Sequence, residues 1–142
     1  HWDLLDSPGH AGLQRTIGRL NEVYASEPAL QFGDLHPEGF QWAVMDDENA
    51  VVAMLRSTPD ASSMILAVSN FTPVVRESYR IGVPADGEWV ELVNTDSEEF
   101  GGSGLVNDVI RAEPNPAHGR DHSIQLRLPP LATVYLKLTA RA

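Results

Sequence analysis

The sequence predicts a mainly β protein, an antiparallel β-sandwich preceded by one N-terminal α-helix. Three observations carry that expectation. Leu13, Ile17, Leu20 and Tyr24 recur at spacings of four, three and four residues, which makes one apolar stripe on a helix. From about residue 38 onward, short apolar runs alternate with turn residues, as expected of an antiparallel sandwich. The 142 residues suit a single core; a domain of this size buries about 68–70% of its unfolded surface and needs no disulfide or metal staple.

Ser7-Pro8 opens the helix, with serine as N-cap and proline tolerated at the first helical position. Pro28 ends it, because proline has no N–H to give to the helical ladder. The helix is expected over residues 8–26, with one further turn at Ala29-Leu30. No other helix is expected, so the stripe must lie on a sheet or on something outside the chain.

The strands follow in order. Residues 40–45 form the first, and Asp46-Asp47-Glu48-Asn49 turns the chain into a second at 51–55. After a Thr58-Pro59-Asp60 turn comes Met64-Ile65-Leu66-Ala67-Val68, a continuous apolar run of the kind found in central strands. Further strands are expected at 77–83, 88–94, 123–128 and 133–138, punctuated by Pro84-Ala85-Asp86-Gly87 and Pro129-Pro130. Residues 96–121 break the pattern with Gly101-Gly102-Ser103-Gly104 and Pro114-Asn115-Pro116. A loop this long is either functional or docked on a neighbour.

Composition excludes several functions. Twenty acidic against ten basic residues give a net charge of −10, the wrong sign for nucleic acid or an anionic membrane, while a neutral sugar is not repelled. No run of about 20 apolar residues would span a bilayer. The absence of cysteine fits a reducing cytoplasm and rules out a thiolate metal site. The start lacks both an initiator methionine and the basic segment of a signal peptide, so the chain reads as a fragment or a processed product.

Candidate chemistry is sparse. His118 and His122 are four apart, a metal-ligand spacing on a helix, but Gly119 and the nearby prolines predict a loop. The 46–49 acidic turn lacks the ligand alternation and central glycine of a calcium loop. Gly101-Gly102-Ser103-Gly104 lacks the Lys-Ser/Thr ending of a phosphate loop. No nucleophile elbow is present, and no carboxylate pair is singled out, so no catalytic residue, metal ligand or cofactor is assigned. The aromatics say more, because indole rings stack on the C–H faces of sugars. Period-two alternation puts Trp89 with Glu91 and Val93, and that glutamate suggests an outward or edge position. Trp42 shares a face with Phe40 and Val44, a more core-like setting. Trp42 and Trp89 are the candidate glucan-binding residues, with ordinary core packing as the competing role for each.

Several segments in order resemble the C-terminal end of bacterial glycogen (1,4-α-glucan) branching enzymes, a group within glycoside hydrolase family 13. They are His1-Trp2-Asp3-Leu4-Leu5 (with the family order altered at its start), His10-Ala11-Gly12-Leu13-Gln14-Arg15 and Pro37-Glu38-Gly39-Phe40-Gln41-Trp42. Ser69-Asn70-Phe71-Thr72-Pro73-Val74, Tyr79-Arg80-Ile81-Gly82-Val83-Pro84 and Leu92-Val93-Asn94-Thr95-Asp96-Ser97 follow. Leu128-Pro129-Pro130-Leu131-Ala132-Thr133 closes the series, which runs along essentially the whole chain. The resemblance implies a β-sandwich of the α-amylase C-terminal type at 34–142. It also implies that residues 1–33 end a catalytic (β/α)8 barrel and include its last helix.

The implied parent cleaves an α-1,4-glucan and transfers the freed segment to a 6-hydroxyl, forming an α-1,6 branch with retention and without a metal. Its nucleophilic aspartate and acid/base glutamate would lie before His1, and Asp3 and Asp6 do not replace them. The implied partners are the parent's own barrel and α-glucan chains. The rival expectations are a stand-alone carbohydrate-binding sandwich and a related family 13 debranching or trehalose-forming hydrolase; fold analogy alone does not separate them.

Overall fold

The computed structural model describes residues 1–32 and 34–140. The boundary expected at residue 33 and the end of the sandwich at 141–142 lie outside the described residues. A 3-10 turn (Trp2–Asp6) leads into α1 (Pro8–Ser26), with Ser7 at the N-cap and Pro8 where a missing N–H is harmless. Glu27 caps the other end through its N–H to the Val23 carbonyl, and Pro28 restarts the chain as α2 (Pro28–Phe32). Neither helix is long and apolar enough to cross a membrane.

The strands are β1 (Phe40–Asp46), β2 (Val51–Ser57), β3 (Met64–Asn70), β4 (Arg76–Val83), β5 (Glu88–Asn94), β6 (Ile110–Arg111), β7 (His122–Leu128) and β8 (Ala132–Ala140). Six of them form one antiparallel sheet in the order β1-β2-β3-β8-β5-β6, and β4 pairs with β7 in a second. The main core lies between the sheets. Val51, Ala53 and Leu55 of β2, Leu66 and Val68 of β3, and Val134 and Leu136 of β8 meet Ile81, Val83, Ile124, Leu126 and Leu128 of the smaller sheet. Alternation explains β2: Val51, Ala53 and Leu55 point inward, while Val52, Met54 and Arg56 take the opposite face. β3 is apolar on both faces because both are covered, by the small sheet on one side and the helices on the other.

The helices make that second layer. Val23, Ala29 and Leu30 pack on Ile65 and Val93, with Leu20 and Tyr135 at the margin. Two cations tie the junction down: Lys137 pairs with the nearly buried Glu27 at 2.9 Å, and Arg56 donates to the Leu30 carbonyl at 2.7 Å. Of the predicted stripe, Leu20 packs at the helix–sheet core and the half-exposed Tyr24 borders the groove beside it; Leu13 and Ile17 remain exposed on the other side. The buried edge of α1 runs instead through Gly12, Thr16, Leu20 and Val23, where small residues allow close approach.

Two irregularities overturn the facing expected from alternation. The β1–β2 register shifts between Trp42 and Val44, so Val44 turns into the core while Trp42 keeps the helix-side face opposite Met54. The β5–β8 register shifts between Glu91 and Val93. Trp89 points into the inter-sheet core, and beyond the shift Val93 points into the helix layer instead of sharing that side. A bulge adds one residue to one strand and so exchanges the faces beyond it.

Candidate functional site

Among the described residues, Trp42 is the large aromatic ring that the folded sandwich offers to solvent in mid-strand. It is 55% exposed on β1, at the margin of the six-stranded sheet, and the Phe40 ring stands nearly perpendicular to it with centroids 5.0 Å apart. Met45, also exposed, lies on the same face beyond the bulge, opposite Val52. The indole thus has an aromatic neighbour and an exposed surface of its own.

A groove of about 310 Å³ lies between this sheet face and α1, lined by Leu20, Asn21, Tyr24, Asp34, Met54, Arg56 and Tyr135 among others. Its polar groups hold one another. Tyr24 donates a short hydrogen bond to Asp34, and Arg56 reaches the same carboxylate at 3.0 Å. The Tyr24 hydroxyl, followed by the Arg56 guanidinium, keeps the Asp34 carboxyl below its ordinary range. The same bond raises the Tyr24 hydroxyl. Sequence reading missed this trio, because Tyr24, Asp34 and Arg56 come from α1, the turn after α2 and β2. Their convergence depends on how the helices cross the sheet.

Trp89 corrects the other aromatic expectation. It is 0% exposed and lies in register with Leu138 in the inter-sheet core, with its Nε1 unpartnered, so it presents no face to a sugar. The Glu91 argument fails because that carboxylate finds its own partners at the end of the core, accepting from Asn107 Nδ2 at 2.6 Å and Asn107 N at 3.1 Å. A hydrogen-bonded carboxylate can share a strand side with a buried ring.

The remaining motifs prove to be scaffolding. The glycine run wraps Asp96, whose carboxylate accepts from Ser103 N at 3.1 Å, Ser103 Oγ at 2.5 Å and Leu105 N at 3.2 Å. Burial pushes that carboxyl upward, but these donors outweigh it and leave its pKa below the ordinary value. The adjoining turn Glu98–Phe100 docks on α1, with Arg15 Nε donating to the Glu99 carbonyl at 2.7 Å. In the 46–49 turn, Asp46 accepts from Asn49 and, at 2.6 Å, from the Tyr79 hydroxyl, as a hairpin staple would.

His118 and Gly119 occupy a tight two-residue turn, both with positive φ, closed by the Ala117–Arg120 bridge. His118 Nδ1 accepts from Gly82 N at 3.2 Å, while His122 starts β7, so no helix brings the two rings together. Among the described residues, no group of three or more His, Asp or Glu is placed to hold a metal ion.

Comparison with known proteins gives a consistent result. The family model described as the alpha amylase C-terminal all-beta domain matches residues 42–139. A 1,4-alpha-glucan branching enzyme GlgB 2 of Rhizobium etli is 63% identical over 137 residues, and the GlgB 2 of Rhizobium johnstonii is 58% identical over 137. The GlgB of Burkholderia lata is 51% identical over 139 residues. Each comparison covers 96% of this chain but 19% of the relative, so the chain spans about a fifth of the length of the curated relatives it matches.

Proposed function

Because this chain belongs to the family of alpha-amylase C-terminal all-beta domains, we propose that it is the C-terminal part of a cytoplasmic 1,4-α-glucan branching enzyme, where it covers an apolar flank of the catalytic barrel and holds glucan on Trp42. In this reading residues 1–33 close the barrel, 34–142 form the sandwich, and α1 is shared between them. The parent would cleave an α-1,4 bond by double displacement and pass the glucan to a 6-hydroxyl, with both catalytic carboxylates outside this chain.

The observation that carries this reading is the two-sided use of α1. One edge, through Gly12, Leu20 and Val23, packs on the sandwich. The other presents Leu13 and Ile17, which join Trp2, Leu4 and Leu5 around an open apolar depression of about 400 Å³. Exposed apolar surface of this kind marks a partner site. A stand-alone sugar-binding module would have no use for a helix that is apolar on its far side.

In the full-length enzyme, the pair Leu13→Ser and Ile17→Ser is expected to lower the melting temperature by several degrees. In the 142-residue chain alone it should change little, because both side chains are already in water. Equal effects in the two settings would remove the shared-helix reading.

Glucan holding has its own test. Millimolar maltoheptaose is expected to alter the tryptophan fluorescence of the chain, and Trp42→Ala should abolish that change while leaving the emission of buried Trp89. An unchanged spectrum of the unsubstituted chain under millimolar sugar counts against the site.

A further inference from the structure

Two loops at one end of the large sheet present an apolar patch that neither role above uses. Phe71, 64% exposed, follows β3, and Leu131, 70% exposed, precedes β8. Leu131 holds a φ of +50°, a left-handed conformation that bulky side chains rarely adopt. Strain of that kind persists only where the surroundings impose it, and it concentrates at functional positions.

The surroundings here are explicit. Leu131 N donates to the Thr72 carbonyl at 2.9 Å. Asn70, 2% exposed, donates to the Val74 and Pro129 carbonyls at 2.8 and 2.9 Å, and accepts from Thr72 N and Oγ1 at 3.0 and 2.7 Å. One buried amide thus staples both loops and holds Phe71, Val74 and Leu131 outward.

Between Phe71 and Leu131 lies a notch of about 110 Å³ whose lining also includes Ser69 and Thr133. Those two hydroxyls bond each other at 2.8 Å, and no charged side chain lines the notch, so it suits an inserted apolar side chain. Ser69 and Thr133 sit two residues along their strands from Ala67 and Tyr135, about 7 Å away. Tyr135 lines the groove beside α1. The notch therefore opens on the helix-side face of the sheet, the side on which α1 lies.

We propose that Phe71, Val74, Leu131 and the notch between them form a second docking surface, filled by an apolar side chain from the remainder of the branching enzyme. The inference rests on the parent reading given above. The relatives keep most of their length outside the matched 19%, so a large covalently attached partner is at hand to cover this face. A stapled, strained leucine held in water has a rationale if that leucine is covered in the assembled protein.

Two substitutions test it. Leu131→Gly frees the left-handed φ, so in the 142-residue chain it should leave the melting temperature unchanged or raise it. In the full-length enzyme the same change should lower it by several degrees, and Phe71→Ser should do likewise. If Leu13→Ser with Ile17→Ser destabilises the full-length enzyme but these two changes do not, this inference fails and the parent reading stands. If neither set does, both fall.

Hydroxyl-radical labelling of the intact full-length enzyme reads the same point without any substitution. Normalised labelling at Phe71 and Leu131 is expected several-fold below that at Leu35, which is 87% exposed. Labelling as strong as at Leu35, or protection that develops only with added maltoheptaose, overturns the inference.

Discussion

Trp89→Ala is expected to cost about 3–5 kcal/mol of folding stability, the range for removing a fully buried aromatic ring. Trp89 is 0% exposed and belongs to the cluster that joins the two sheets. Small domains hold roughly 5–15 kcal/mol in total, so the variant should be marginally folded. Trp89→Phe should cost far less, since the lost volume is smaller and the unpartnered Nε1 donor disappears with it. Urea unfolding followed by circular dichroism measures both. A loss below about 1 kcal/mol for the alanine variant would mean that the ring is not packed as described.

The second large effect comes from a glycine on α1. In an exposed helix interior, Gly→Ala stabilises by about 1 kcal/mol, because alanine restricts the unfolded chain and favours the helix. Gly18 is such a position, with nothing within 4 Å of an added Cβ. Gly12 is not: a Cβ there would lie 2.3 Å from the Phe100 carbonyl oxygen and 2.9 Å from its carbon. Those are backbone atoms, held by the turn that Asp96 and its donors organise, so they cannot swing aside. Gly12→Ala is therefore expected to destabilise by roughly 1–3 kcal/mol, as overpacking does. It should also raise amide exchange at Gly101 and Gly102, while Gly18→Ala stabilises. Stabilisation by both substitutions would show that the 98–101 turn does not rest on α1.

These two positions also mark how far the sequence could be read. Helix limits and most strands follow from local chemistry: Pro8 and Pro28 bracket α1, and short runs bounded by turn residues find β2, β3, β4, β7 and β8. What local pattern cannot supply is the position of a bulge. One extra residue near Leu92 sent Val93 to the side opposite Trp89, and one at Ala43 left Trp42 outside while Val44 turned in, so neither tryptophan kept the strand neighbours that plain alternation gave it.

The apolar stripe of α1 was legible, but periodicity does not say what a stripe will cover. The sandwich uses the small-residue edge at Gly12 and leaves Leu13 and Ile17 outward. Likewise the glycine run at 101–104 reads as a flexible turn until Asp96, five residues upstream, is seen to gather its amides. Short β6, two residues inside the long loop, carries too little pattern to find.

The claim at the centre of this account is that the chain supports and covers a glucan-branching catalyst without supplying its chemistry. The direct measurement is branch formation on linear amylose, read as new α-1,6 anomeric signals by proton NMR, with the 142-residue chain and the full-length enzyme assayed side by side. The account predicts new α-1,6 linkages from the full-length enzyme and none from the chain alone. Branches formed by the chain alone would contradict it, because two catalytic carboxylates would then have to lie within these residues.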